Sequence, residues 1–439
     1  MVELTINNKQ RAEDVFTSPR RGTRTLTIDA ETEEEIPPPD PLNPRIAIIR
    51  TSDRIAFKNC RRRWGWSSHL RHNLGPKYGI GPLWFGTGIH FALEDFHGYN
   101  RFGHPKAAFE AFVKASKLHS KEKLPDGWEE LLSLGQGMMD YYVVWLQLRP
   151  LSRLRTYWVD GVPQVEVNFR FRIPGDWTKF GYDEVYYSGT IDRICIDEHG
   201  YLWPLDYKTA KNMETLHFMT DPQVNAYMWA APFLYDKPIG GFKYMQLKKA
   251  IPNPGRLIYG GSKISTAENQ STSHYMYRQT LIDFYGSVDA SPMENQAFLT
   301  KLAQHEDENR DDFIQVDSIA RNERMGQSEG VKILMEIEDM LNPDLPLYPN
   351  PTRFCMNTWN PEQSCPFVGP CVSMDDGSDW LYELEQTTDL RETKYDAWRT
   401  KLIFPDDNNQ IVDPRQLDLG DRSWLDTTPP ETTLEGEHV

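Results

Sequence analysis

In the stretch WPLDYKTAKN (203–212) an acid and a lysine, Asp206 and Lys208, stand two residues apart. In an extended chain that spacing puts both side chains on one face. A lone Asp–Lys pair on a wet sheet face is worth well under about 1 kcal/mol. Its neighbours give it a different meaning. VYYSGTIDRICID (185–197) and YLWPLDYKT (201–209) both alternate as strands and are joined through DEHG. A turn centred on His199 sets Asp192 opposite Asp206, while Pro204 warns of an edge or a bulge. Two carboxylates facing each other across a ladder repel at a Cβ separation of about 4.5–5.5 Å. A purely structural sheet avoids that arrangement; a divalent-metal site requires it. Mg²⁺ or Mn²⁺ would take oxygens from Asp192 and Asp206 and keep positions for water and phosphate oxygens. Lys208 would orient the attacking water and offset the developing charge. That chemistry fits phosphodiester hydrolysis.

The elements that must hold these residues follow from the pattern around them. SDRIAFKNCRRRWGWSSHLRHN (52–73) reads as one helix with Ser52 as N-cap and Ala56, Cys60 and Trp64 along a single stripe. GTGIHFALEDFHGY (86–99) reads as a helix entered through glycines, followed by helical patterns at 106–118 and 127–148. The period then changes: VEVNFRFRI (165–173) joins the two strands above, TDPQVNAYMWAAPFLY (220–235) is helical, and GFKYMQLKK (241–249) is again a strand. Residues 289–342 read as mainly helical. The fold class is mixed α/β, a short central sheet flanked by helices.

The formal charge of −16 is unevenly spread. Residues 375–439 hold 17 acids against 6 bases, and residues 28–40 hold 6 acids and no base, so the remainder is close to neutral. Residues 1–44 read as a flexible arm and 375–439 as an acidic, largely disordered tail. Between Arg45 and Lys77 lie seven further bases, among them Arg61, Arg62 and Arg63, with Asp53 the only acid. Such a patch can neutralise phosphates or can be a solvated helix face. No apolar run approaches the roughly 20 residues of a membrane span, and MVELTINNKQ lacks a signal-peptide pattern. A cytoplasmic protein is expected, or a nuclear one if the host has a nucleus. No GxxxxGK[ST] phosphate loop is present; GGSK at 260–263 lacks the spacing.

GTGIHFALE (86–94), GTIDR (189–193), DYKT (206–209) and QVNAY (223–227), in that order, resemble the PD-(D/E)XK nuclease superfamily. Within it the match is to the RecB/AddB-like and CRISPR-associated exonuclease branch, phage relatives included. The resemblance spans roughly residues 50–375 and implies a restriction-endonuclease-like core with helical insertions, a nuclease domain at 45–374. It implies His90 as a metal ligand on the helix before the sheet, with Glu94 one turn on in a supporting place. Asp192 and Asp206 match the metal carboxylates, Lys208 the catalytic lysine, and the Tyr207 carbonyl a further ligand. Gln223 and Tyr227 match the Q-x-x-x-Y pair that borders the site and contacts DNA. Ile191 stands where the superfamily's name has proline.

Cys60, and then Cys355, Cys365 and Cys371 in CMNTWNPEQSCPFVGPC, resemble the one-before, three-after cysteines with which that branch holds a [4Fe-4S] cluster. The nine residues between Cys355 and Cys365 exceed the two of many relatives, and Zn²⁺ stands as the alternative. Cys195, between two isoleucines, reads as a packed core residue.

The resemblance implies a metal-dependent DNA exonuclease acting on DNA ends in recombination or repair, with any unwinding left to a helicase or recombination partner. Two rivals stay open: an endonuclease on the same core, and a non-catalytic, zinc-stapled DNA-binding subunit. Oligomeric state and strand polarity are not legible in the sequence.

Overall fold

A computed structural model describes residues 45–77, 81–119, 127–149, 154–213, 220–307, 309–350, 355, 365–390, 404–405 and 411–412. The expected arm at 1–44 and most of the acidic tail lie outside them.

The chain begins with strand β1 (Ile46–Arg50), whose alternating burial leads directly into helix α1 (Thr51–Asn59). The carboxylate of Asp53 accepts the Arg50 amide at 3.0 Å and so caps α1, whose N-cap is Arg50, two residues earlier than the Ser52 expected. The single helix expected over 52–73 is in fact two. Cys60 is extended (φ −162°, ψ 116°) and its thiol accepts from the Arg63 amide, which starts helix α2 (Arg61–Ser67). The cysteine is therefore a cap and leaves the Ala56–Trp64 stripe. Strand β2 (Leu74–Pro76) follows.

Three helices then form one layer: α3 (Gly81–His97), α4 (Pro105–His119) and α5 (Trp128–Leu148). Short strands β3 (Arg155–Thr156), β4 (Trp158–Val159) and β5 (Val162–Pro163) lead to β6 (Val165–Arg172), β7 (Glu184–Ile196) and β8 (Leu202–Ala210). The β7–β8 turn is closed by Asp197, whose carboxylate accepts from the amides of His199 and Tyr201, and Gly200 takes a positive φ of 84° there. Helix α6 (Pro222–Leu234) and strand β9 (Phe242–Lys248) come next.

Between β9 and its neighbour β12 (Ile314–Ile319) lies an insertion. It contains strands β10 (Leu257–Ile258) and β11 (Lys263–Ile264) and helices α7 (His274–Tyr285) and α8 (Met293–Gln304), around a small core of Ile264, Tyr277, Leu281, Phe298 and Leu299. The region expected to be mainly helical thus contains a sheet strand, because IQVDSI is short, alternates in burial and completes the edge of β9. Helices α9 (Glu323–Leu341), α10 (Val368–Asp376) and α11 (Trp380–Thr387) follow, and strand β13 (Thr388–Leu390) pairs with β2. The described structure thus extends past residue 374, through α11 and β13.

The central sheet runs β1-β7-β8-β9-β12, with β6 and β3 on the other edge of β7. It is mixed: β1–β7 and β8–β9 are parallel, the other pairs antiparallel. One face packs against α1, α6 and α9 through Phe57, Val224, Trp229 and Ile337. The other packs against α3, α4 and α5 through Ile89, Phe109 and Trp145, with fully buried Cys195 in that core. Arg54, counted in the basic patch, is fully buried: it ties α1 to α9 through Glu329 (2.7 Å) and Glu336 (2.6 Å).

Candidate active site

The β7–β8 ladder pairs Arg193 with Leu205, and the β6–β7 ladder pairs Val165 with Arg193 and Val167 with Ile191. Continued by one residue, these registers set Asp206, Asp192 and Glu166 abreast on three adjacent strands. Neither carboxylate pair closes a ladder rung. On its other edge β7 pairs with β1 up to Ser188 and with β8 only from Arg193, so no described strand covers residues 189–192. The slot opens into a cavity of about 210 Å³ lined by Arg50, Thr51, Ser52, Gly189, Gln223 and Tyr227. Gly189 is required there: a Cβ would come within 2.5 Å of the Phe169 ring and 2.8 Å of Thr51 Oγ1.

Asp206 has no solvent exposure. Its Oδ2 lies 2.6 Å from Lys208 Nζ and its Oδ1 accepts from Gln223 Nε2 at 3.0 Å. That same amide nitrogen donates to the Tyr227 hydroxyl at 2.9 Å. Gln223 is aimed by the start of α6, where Asp221 caps the helix by accepting from the Gln223 amide at 2.7 Å, with Pro222 in the first turn. Asp192 Oδ2 accepts from the Tyr207 amide at 2.7 Å and lies 3.3 Å from His90 Nδ1. A side-chain carboxylate here meets the backbone N–H of the neighbouring strand.

Burial pushes the Asp206 carboxyl up; Lys208 opposes this and Asp192 adds to it, leaving it at about 6. Burial disfavours the His90 cation, but the Asp192 charge and hydrogen bond outweigh it and raise its pKa to about 9. Burial likewise works against the Lys208 ammonium, and Asp206 and Asp192 more than offset it, holding Lys208 charged. Asp192 moves down despite its burial because His90 and Lys208 favour its anion.

Glu166 is the residue sequence reasoning missed. It, His90 and Asp192 present ligand atoms that all lie within 4.8 Å of one another. Burial and then the charges of Asp192 and Glu94 push its carboxyl well up. Its φ of 45° is unusual for a residue with a Cβ and costs on the order of 1 kcal/mol. The sequence did carry a signal, an acid between two valines in an otherwise regular strand. Glu94 stands close enough to act on Glu166 but outside the compact group of three.

The two segments that carry the remaining cysteines meet at another corner. Cys365 donates its amide to the Cys355 carbonyl at 3.3 Å, and burial raises its thiol pKa, with Cys60 and Cys355 near enough to contribute. Arg62 Nη1 donates to Cys371 Sγ at 3.2 Å and to Asp375 at 2.8 Å. Trp66 packs on Phe367 and Trp380. Among the described residues no three cysteine sulfurs lie within 4.8 Å of one another.

The arginine run separates by role. Arg62 reaches the Cys371 segment and pairs with Asp375 at 2.8 Å. Arg61 lies over the rings of Phe57 and Tyr348 and 3.7 Å from Asp339, while Arg63 makes no ion pair among the described residues. No described helix is long and apolar enough to cross a membrane.

The PD-(D/E)XK nuclease superfamily model matches residues 53–371, well over half of the chain and a span that includes His90, Glu166, Asp192, Asp206, Lys208, Gln223 and Tyr227. The comparison with curated proteins gave no match.

Proposed function

The chain belongs to the PD-(D/E)XK nuclease superfamily, and on that premise we propose that it is a metal-dependent deoxyribonuclease hydrolysing phosphodiester bonds at DNA ends. The observation that carries the reading is the convergence of His90, Asp192, Asp206 and Lys208 in one largely buried site. The donor set fits a hard divalent cation, Mg²⁺ or Mn²⁺: carboxylate oxygens and an imidazole, with no thiolate. His90, Asp192, Asp206 and the Tyr207 carbonyl would hold it. Bound there, it would polarise the scissile phosphate and make water acidic enough to attack.

The chain's own groups do the rest. Lys208, held charged by Asp206 and Asp192, presents its ammonium to the attacking water and to the charge that grows on phosphate. Gln223, braced by Tyr227, keeps Asp206 from turning. Tyr207 fixes Asp192 through its amide. The slot beside Gly189 and Gln223 is the candidate entry for the scissile phosphate, and Arg61 and Arg63 stand as candidate contacts to the DNA backbone elsewhere on the surface.

Action at ends rather than within DNA, and service in recombination or repair beside a separate helicase, are supported by the resemblance of GTGIHFALE, GTIDR, DYKT and QVNAY to the RecB/AddB-like branch. The same resemblance supports a [4Fe-4S] cluster on Cys60, Cys355, Cys365 and Cys371. One zinc with bonds of about 2.3 Å would draw four sulfurs to about 3.8 Å from one another. A four-iron cluster binds each thiolate through a different iron and so spreads them; zinc on the same cysteines stands as the alternative.

Linear and covalently closed circular DNA incubated with Mn²⁺ test the reading. The expected result is loss of the linear form alone, abolished in folded Asp192→Ala, Asp206→Ala and Lys208→Ala. Nicking of the circle would show an endonuclease. No cleavage of either would refute the catalytic reading.

A further inference from the structure

We propose that Glu166 is a metal ligand, the third carboxylate of a centre that it shares with His90 and Asp192. The inference rests on the metal-dependent reading above and assigns to that centre a residue outside the four sequence motifs. Three observations of independent kinds support it. The β6–β7 register sets Glu166 across from Asp192, on the edge away from Asp206, so Asp192 is flanked by an acid on each side. Glutamate occupies a backbone conformation, φ 45°, that glycine or asparagine would take with less strain. Its reach brings a carboxylate oxygen into a group with His90 and Asp192 spanning at most 4.8 Å. No hydrogen bond among the described residues holds that carboxylate, whereas Asp206 has Lys208 and Gln223 and Asp192 has the Tyr207 amide.

Three carboxyl groups abreast disfavour one another's ionisation, and one ammonium and one imidazole do not match three anions. A structural sheet gains nothing from that row. A divalent cation with bonds of about 2.1–2.5 Å can bridge ligands at this separation, and on binding would displace the His90 proton to leave a neutral imidazole as donor. The strand before the first carboxylate motif therefore contributes to the metal centre, and the ligand set is drawn from a helix and three consecutive strands.

Mn²⁺ binding to the full chain without DNA, followed by calorimetry or by the loss of the free-ion electron paramagnetic resonance signal, tests this. Glu166→Gln keeps the size and removes the charge. It should weaken Mn²⁺ binding at least tenfold and reduce the rise in melting temperature that Mn²⁺ gives the wild type. In the absence of metal it should melt no lower than wild type, which separates a lost ligand from a damaged fold. Equal Mn²⁺ affinity of wild type and Glu166→Gln would overturn the assignment while leaving the nuclease reading intact. If wild type binds no Mn²⁺ at all, the metal-dependent reading fails first, and this inference with it.

Discussion

Gln223 Nε2 lies 3.0 Å from Asp206 Oδ1 and 2.9 Å from the Tyr227 hydroxyl, so one side-chain amide ties helix α6 to the buried carboxylate of β8. Its removal leaves a buried acceptor without a donor, at about 1–3 kcal/mol. Gln223→Ala should lower cleavage about 10–100-fold, the range for partners that orient metal ligands, and should raise the Mn²⁺ concentration needed for half-maximal rate. An unchanged Mn²⁺ dependence would assign Gln223 to DNA contact alone.

Asp206 makes the metal-free protein sensitive to pH. Its folded pKa of about 6 exceeds the 3.8 of an unperturbed aspartate, through burial, against Lys208 and with Asp192. The folded state thus binds this proton more tightly than the unfolded chain. The contribution is fully present below about pH 4 and is lost as pH rises through about 6, up to roughly 3 kcal/mol in all. Metal-free Asp206→Asn should therefore gain stability over wild type at pH 7.5 and not at pH 4. Denaturant titrations at the two pH values measure it, and a gain equal at both would contradict the raised pKa.

Arg54 predicts a large loss unrelated to catalysis. Removing it leaves Glu329, which is 1% exposed, with only the longer Lys332 contact at 3.6 Å, and breaks the tie between α1 and α9. Arg54→Ala should cost about 3–5 kcal/mol, measured by urea denaturation. Arg63→Ala, at a residue with no ion pair among the described residues, should leave stability within about 0.5 kcal/mol.

The cysteine corner gives a spectroscopic prediction. Anaerobically purified protein should be brown, with about four irons per chain if all four thiolates serve. Cys60→Ala, Cys365→Ala or Cys371→Ala should lose the iron, and Cys195→Ala should keep it. Cys355→Ala with iron retained would point to a different fourth ligand. Colourless protein with one zinc would refute the cluster and keep the staple.

The site was legible where local pattern determines register. The turn at His199 has a short loop and strong alternation on both sides, and the ladder at Arg193 and Leu205 follows from it. Glu166 was not, because its partner strand lies across a loop that holds a short 3-10 turn at Thr178–Phe180, and no local signal sets how that loop brings β6 alongside β7. β1 was hidden for a similar reason: RIAIIR is short and pairs in parallel with a strand far along the chain. Cys60 looked helical because its neighbours on both sides are helical; only its thiol, acting as a cap, breaks the run. Arg54 and Arg62 looked like members of a charged surface because their acidic partners, Glu329, Glu336 and Asp375, come from the other end of the sequence.

The pairing of early segments with late ones also fixes an order of events at the ribosome. Arg45 must wait for Asp183, 138 residues later, before β1 has an edge to join. The corner formed by Cys60, Trp66 and β2 must wait longer still, until Phe367, Trp380 and β13 have emerged. Helices α3 to α5, which are consecutive in sequence and pack on one another as well as on the sheet, can assemble first. For most of translation the nascent chain therefore carries an unclosed N-terminal segment with a cysteine in it, and any metal at that corner would be among the last parts to arrive.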